Sequence, residues 1–396
     1  MRIAVFNQHV DVGGVEAFLL SLLGQFVRLG HDVDMFLLEP DRDNALLGAM
    51  VASGVRVQGI DRLRHGNSSG PFDVALATNP ATLFALLRLL HRQRLQADRL
   101  VVGVYQTRMF CLDRGPLSLH NRLTRQLFGK LDPRNAIFGN DACRAEHAQA
   151  IPAMAAAPVV PLIVDVARFS RRPVRRRDAC FRIVSIGRLD HFKTYNLSMP
   201  GVIRRLRDAG HPVVWDVYGE GPLRGAMQRC AAELGVREHV RLHGLVDYGA
   251  IPEVLAQAFA FVGSGLAMME AAACGVPAVA AIEYSDQPQT FGFVHQVDGI
   301  SFFEPGIALP RHDIGEKLLE LLDASPDAYE SMGDAARAAM MPFSAAVVAP
   351  RYLEVMHIAS RDHPVLTTSS DAAYRISAWA HRLAGACLRQ MGLHRH

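Results

Sequence analysis

The sequence predicts an α/β protein built from two successive doubly wound units of similar size. Three observations carry this. The chain has 396 residues, too many for one ordinary core. It opens with a strand, a glycine loop, a helix and a second strand, the first unit of a parallel sheet. A second series of the same kind begins at Phe181, after a polar stretch.

Arg2 to Phe6 is a short apolar strand, and Asn7 to Gly14 a loop ending in Gly13-Gly14. Val15 to Leu29 has helical spacing, with Phe18, Leu19, Leu22, Leu23 and Phe26 on one face. Gly30-His31-Asp32 stops that helix, and Val33 to Leu38 is the next strand. Further strands are expected at Phe72 to Thr78, Leu100 to Val104 and Asn135 to Gly139. Helices are expected at Ala81 to Gln93, Leu117 to Leu131 and Ala142 to Ala150. Arg171 to Asp178, RRPVRRRD, is a proline-bearing charge run and reads as a solvated linker.

In the second series, Phe181 to Ile186 is a strand and Gly187 to Asn196 a loop. The helix Leu197 to Asp208 tolerates Pro200 only in its first turn. Val213 to Tyr218, Val240 to Leu242 and Ala258 to Val262 are strands, and Leu223 to Leu234 and Ile251 to Gln257 helices. Gly263 and Gly265 precede a short helix that Cys274-Gly275-Val276-Pro277 ends, and Ala278 to Ala281 begins a buried strand. Asp313 to Leu322 and Pro326 to Met340 are helical. Ser344 to Ile358 is a helix that Pro350 should kink or divide, and Ala372 to Leu393 is a terminal amphipathic helix. The resulting domains are 1–168, 179–340, a crossover helix 341–358 and a tail 359–396.

Composition narrows the class. Half the residues are hydrophobic, 20% are charged and the net charge is +3, which provides no strong field for nucleic acid. Nearly all the basic charge is arginine; the lysines are Lys130, Lys193 and Lys317. The 6 cysteines form no C-x-x-C pair and no zinc-spaced cluster, which fits a reducing compartment. Met1-Arg2 runs straight into a strand too short for a signal-peptide core, and no apolar run is long enough for a bilayer. The expectation is a cytoplasmic protein. Its tail, with Trp379, Leu383, Leu388 and Leu393 beside Arg375, Arg382, Arg389 and Arg395, lies on the inner face of an anionic membrane, docks on the protein itself or is a frayed end.

Three segments of the second series carry chemistry. In Gly187-Arg188-Leu189-Asp190-His191-Phe192-Lys193, two cations lie on a loop at a strand's C-terminal end, where doubly wound sheets bind ligands. Both can reach one diphosphate. Gly219-Glu220-Gly221-Pro222 is a turn whose missing side chains allow close ligand approach. Glu270 is the sole acid between Phe261 and Ala281 and can accept two hydrogen bonds from a vicinal diol such as ribose. Gly263-Ser264-Gly265 presents N–H groups at a helix start, where an anion is favoured.

These segments, with Gly13-Gly14-Val15-Glu16, Leu242-His243-Gly244-Leu245-Val246, Met269-Glu270-Ala271 and Gly275-Val276-Pro277, resemble family 4 glycosyltransferases. Those are retaining enzymes of the GT-B fold, with two Rossmann-like domains facing across a cleft and C-terminal helices crossing back. The resemblance covers roughly residues 1 to 358. It implies that Arg188 and Lys193 neutralise the donor diphosphate and stabilise the leaving nucleoside diphosphate. It also implies that Glu270 binds ribose hydroxyls, that Gly244 to Val246 lie near the base, and that the Gly265 and Leu266 N–H groups meet phosphate or sugar. Gly187 belongs to the diphosphate loop, and Gly14 approaches the diphosphate from the facing domain. No cofactor and no metal are expected. The D-x-D spacings at Asp32-Val33-Asp34 and Asp41-Arg42-Asp43 lie away from the donor motifs and read as structural or solvated.

The chain departs from the family pattern twice. The family has a glutamate eight positions before the one matched by Glu270, and here that position is Val262. It often has a histidine after the fourth strand of the first domain, where this chain has Val104-Tyr105-Gln106-Thr107-Arg108. Tyr105, Gln106 or Arg108 would substitute in positioning; His9 and His120 are the other candidates. The implied activity is retaining transfer of a hexose from a UDP- or GDP-sugar to a hydroxyl of a glycan or lipid-linked acceptor, in envelope polysaccharide or lipopolysaccharide synthesis. The alternative is a catalytically degenerate nucleotide-binding or scaffold protein, for which Val262 is the main support.

Overall fold

The structure is a computed structural model that describes residues 1–10, 13–39, 45–64, 70–110, 118–170 and 180–390. The expected linker at 171–178 and the D-x-D at 41–43 lie outside the described residues.

The first series contains β1 (Arg2–Asn7), α1 (Gly14–Arg28), β2 (Asp32–Leu37), α2 (Ala45–Ala52), β3 (Arg56–Gly59) and α3 (Asp61–Arg64). It continues with β4 (Phe72–Ala77), α4 (Pro80–His91), β5 (Ala97–Val104), α5 (Ser118–Phe128), β6 (Ala136–Phe138) and α6 (Asp141–Ala150). The six strands are all parallel, in the order β3-β2-β1-β4-β5-β6. Burial on both faces makes β1 a continuous apolar run, Ile3 to Phe6, all fully buried. The predicted apolar face of α1, Phe18 to Phe26, is buried too. Asn79 caps α4 by accepting from the Thr82 N–H at 3.0 Å, which explains the sharp helix start at Pro80. Asp34 pairs with Arg56 at 2.8 Å, so the first D-x-D is structural.

The second series contains β7 (Phe181–Ile186), α7 (Tyr195–Asp208), β8 (Val213–Tyr218), α8 (Arg224–Glu233), β9 (Val240–Gly244), α9 (Ile251–Leu255), β10 (Ala260–Gly263) and α10 (Leu266–Ala273). It then runs through β11 (Ala278–Ala281), β12 (Gln289–Phe293), β13 (His312–Asp313), α11 (Ile314–Leu322) and α12 (Pro326–Met340). The sheet order is β13-β12-β11-β10-β7-β8-β9. Strands β7 to β11 are parallel, and β12 and β13 add an antiparallel edge that the sequence reading did not anticipate. Two helices close the chain, α13 (Ala345–Ile358) and α14 (Thr368–Gln390).

By internal contacts the chain forms two units. One comprises Met1–Asp11, Leu22–Pro161 and Ala349–His396, the other Val12–Ser21 and Leu162–Val348. The change at Val348/Ala349 falls inside α13, two residues before Pro350. The helix runs through this proline, which withholds one N–H from the ladder. Pro200 is a correction: α7 begins at Tyr195, so the proline sits in the second turn rather than the first. Its missing N–H would have bonded the carbonyl of Asn196, in a turn where the Asn196 side chain bonds the Lys193 carbonyl at 3.0 Å. The start of α14 docks on its own unit: Asp371 pairs with Arg88 at 2.6 Å, and the Tyr374 ring stacks on Phe84. His120 contacts Ser377 at 3.2 Å, a structural role.

Candidate functional site

In the second sheet β7 lies between β8 and β10. The chain winds outward through β8 and β9, then crosses back to β10 on the other side of β7. The carboxyl ends of β7 and β10 therefore flank a topological switch point, the place where open α/β sheets bind ligands. The loop carrying Arg188 and Lys193 follows β7, and Ser264-Gly265 follows β10.

A hydrogen-bonded scaffold holds these strand ends. Trp215, fully buried in β8, donates to Ser185 Oγ at 2.9 Å, and Ser185 donates to the Val262 carbonyl at 2.6 Å, linking β8, β7 and β10. The loops are stitched by backbone bonds: Gly187 N–H to Tyr218 O at 2.9 Å, Leu189 N–H to Glu220 O at 2.9 Å, and Gly219 N–H to Gly244 O at 2.7 Å. Gly219 has φ +155°, and a Cβ there would collide with the Gly187 carbonyl, so the turn requires glycine. A Cβ at Gly187 would lie 2.6 Å from Lys193 Nζ, so the ammonium rests over this bare α carbon.

The cations are poised for an anion. Arg188 is exposed and Lys193 half-buried, and neither has an ion-pair partner among the described residues. Both lie near the Phe192 ring, each 5.8 Å from its centroid. Burial lowers the Lys193 pKa, opposed by the nearby Glu283 carboxylate and reinforced by Arg188. Gly265 has φ +74° and open space where a Cβ would be, and it starts α10, whose first N–H groups, at Leu266 and Ala267, have no intrahelical acceptor. Gly14 lies in the same unit, where a Cβ would touch Leu266 Cβ at 3.5 Å.

Glu270 is 3% exposed on α10 and accepts from the Tyr248 hydroxyl at 3.1 Å. Burial pushes its pKa up to about 8, against the lowering effects of the Tyr248 bond and of Arg168. The Arg168 guanidinium lies over the Tyr248 ring, 4.3 Å from its centroid, and bonds the Tyr248 carbonyl at 3.1 Å. Gly244 and Val246 flank the β9 end, Gly244 at φ +82°.

Val262 is fully buried in the hydrophobic core of this unit. An acid there would point into the core, so this position offers no place for a sugar-facing carboxylate. In the other unit, His9 follows β1 and its carbonyl accepts from the Asn7 side chain at 2.6 Å. The Tyr105 hydroxyl is turned inward against Gly103 and Tyr352, and burial raises its pKa. Gln106 is exposed, its carbonyl accepting from Cys143 Sγ at 3.2 Å, and Arg108 is half-buried. The sequence reading missed Tyr248, Arg168 and Glu283, and it gave Ser264 only as part of the turn before α10, not as the partner of Glu283. For Glu283 one signal exists: an acid immediately after the apolar run Ala278 to Ile282.

Residues 167–338 match the family Glycosyl transferases group 1. A segment of 127 residues, 31% of this chain, is 31% identical to a subunit of the human phosphatidylinositol N-acetylglucosaminyltransferase and covers 26% of that protein. Another, of 176 residues and 36% of this chain, is 30% identical to a GDP-mannose-dependent alpha-(1-6)-phosphatidylinositol monomannoside mannosyltransferase of Mycolicibacterium smegmatis and covers 45% of it. The matched segments thus span less than half of either relative. Among solved structures, Anabaena HepE in complex with UDP and glucose overlays with a TM-score of 0.65 at 15% identity, covering 90% of this chain and all of that one. This likeness shows the fold, two Rossmann-like α/β domains of the GT-B kind. Residues 167–338, somewhat under half of the chain, thus resemble the group 1 glycosyl transferases, within a chain whose fold is of the GT-B kind.

Proposed function

We propose that the chain is a retaining glycosyltransferase that moves a hexose from a UDP- or GDP-sugar to a hydroxyl of a glycan or lipid-linked acceptor, in cell-envelope polysaccharide synthesis. The observation that carries this reading is a pair of cations, Arg188 and Lys193, without ion-pair partners among the described residues and beside the start of α10 at the switch point. As the bond from the sugar to the diphosphate breaks, negative charge grows on the leaving phosphate. Arg188, Lys193 and the Leu266 and Ala267 N–H groups take up that charge, the kind of stabilisation that dominates such transfers. Glu270 holds the ribose diol, and the backbone at Gly244 to Val246 lies by the base. Charge neutralisation by these groups needs no metal, so a chelator should leave the rate unchanged.

We assign donor binding to 179–340 and acceptor binding to 1–168, with His9, Gln106 and Arg108 as positioning groups. Both curated relatives have phosphatidylinositol in their names, which supports a lipid-linked acceptor. No described helix is long and apolar enough to cross a membrane. The exposed Ile376 and Trp379 of α14 suit peripheral contact with the inner face of a cytoplasmic membrane.

Incubating the purified protein with UDP- and GDP-sugars and lipid-linked or glycan acceptors tests the reading. Transfer with the donor's anomeric configuration kept is expected. No turnover and no nucleotide-sugar binding would end it. Donor binding without turnover would favour the scaffold reading that Val262 supports, since β10 offers no acid toward the sugar.

A further inference from the structure

Glu283 is an acid that the proposed chemistry leaves without a task. It follows β11, two residues beyond Ala281, and is 9% exposed. Ser264, between β10 and α10, donates to Glu283 Oε1 at 2.8 Å, and the Tyr195 hydroxyl lies 3.4 Å from the same serine. The backbone locks the carboxylate from both sides. Glu283 N–H bonds Phe303 O at 2.9 Å, and Tyr284 N–H bonds Phe192 O at 2.7 Å, in the loop that carries Lys193. Thr194 Oγ1 donates to the Ser285 carbonyl at 2.8 Å. Tyr284 has φ +57°, a conformation disfavoured for this residue type and held by those bonds.

Glu283 is thus bound rigidly to the diphosphate loop, yet it forms no ion pair with Arg188 or Lys193, and its Oε2 accepts no hydrogen bond among the described residues. An acceptor oxygen that no protein donor reaches is open to a donor from a ligand. A diphosphate is the wrong partner, because like charges repel. A neutral group rich in hydroxyl donors, attached just beyond the diphosphate, is the right one.

We propose that Glu283 recognises the transferred sugar, with Oε1 pinned by Ser264 and Oε2 accepting from the sugar hydroxyls beside Lys193. This rests on the reading of the site as a nucleotide-sugar site. It gives the site a carboxylate from β11 where β10 supplies only the core residue Val262. Sites that hydrogen-bond a hydroxyl discriminate strongly against analogues lacking it, so Glu283 would set donor-sugar choice.

The test is calorimetric titration of the full chain with UDP, GDP, UDP-glucose and GDP-mannose, for wild type and Glu283→Gln. The expected result splits the ligands. The nucleoside diphosphate binds Glu283→Gln as tightly as wild type or up to about threefold tighter, because a repelling charge is gone. The nucleotide sugar binds at least tenfold more weakly. Equal weakening of both would make Glu283 a support for Lys193 and overturn the proposal, as would no change in either. If wild type binds none of the four, the nucleotide-sugar reading fails, and this proposal with it. If Glu283→Gln does not fold, Ser264→Ala decides: it frees Oε1, and a roughly threefold loss confined to the nucleotide sugar is expected. Wild-type affinity for all four ligands in that variant would refute the assignment.

Discussion

Replacing Glu270 by glutamine should make the protein more stable at high pH while weakening nucleotide binding. Glu270 is 3% exposed, and its pKa is pushed up from 4.5 to about 8 by burial. The folded state therefore keeps a proton that the unfolded chain releases. Between about pH 4.5 and 8 the folded state binds more protons, so stability falls as pH rises through that window, by about 1.4 kcal/mol per unit at most. The contribution is fully present below the unfolded pKa and gone above the folded one. Glutamine has the same shape and no charge to desolvate. Relative to wild type, Glu270→Gln should gain on the order of 3–5 kcal/mol between pH 5 and pH 9. Urea unfolding at several pH values, followed by the fluorescence of the fully buried Trp215, measures this. Glu283, pushed up to about 7, adds a slope in both proteins, so the difference between them is the quantity to read. A variant whose stability follows the wild-type pH profile at constant offset would refute the reasoning. At pH 9, where the Glu270 carboxylate is charged, the same variant should lose about tenfold or more in UDP or GDP affinity, since a charged acceptor for the ribose diol is gone.

Three further outcomes are expected. Gly219→Ala forces the loop away from the Gly187 carbonyl, and a loss of at least about 2 kcal/mol should appear as a lower Tm together with lost nucleotide binding. Gly235→Ala, at φ +69° with nothing within 4 Å, should cost only about 1 kcal/mol and leave binding intact. Asp371→Asn breaks the pair with Arg88 and should cost about 1–3 kcal/mol, with faster hydrogen exchange confined to α14 and its neighbours.

The site's backbone was legible because its signals are local. A buried strand followed by Gly187, Gly219-Glu220-Gly221 or Gly263-Ser264-Gly265 marks a turn at a sheet's end, and the structure aligns these strand ends as expected. The residues around Glu270 and Lys193 were not legible, because they meet through the fold. Tyr248 is 22 positions before Glu270, Arg168 reaches Tyr248 across 80 positions, and Ser264 meets Glu283 across 19. Nothing in linear spacing pairs them. The direction of the Val262 side chain was not legible for a related reason. Central parallel strands are apolar on both faces, so alternation does not tell which side chain reaches the site. Strand β13 escaped because a two-residue strand has no periodicity to detect. The proline in α7 was misplaced because the helix starts two residues earlier than its apolar pattern, at Tyr195.

The central claim is that nucleoside diphosphate binds at the β7/β10 switch point. Calorimetric titration of UDP and GDP into the full chain, beside an Arg188→Ala, Lys193→Ala double variant, tests it most directly. One site per chain is predicted for at least one of the two nucleotides, with affinity reduced at least a hundredfold in the double variant. Binding that survives the loss of both cations, or no binding of either nucleotide to wild type, would contradict it.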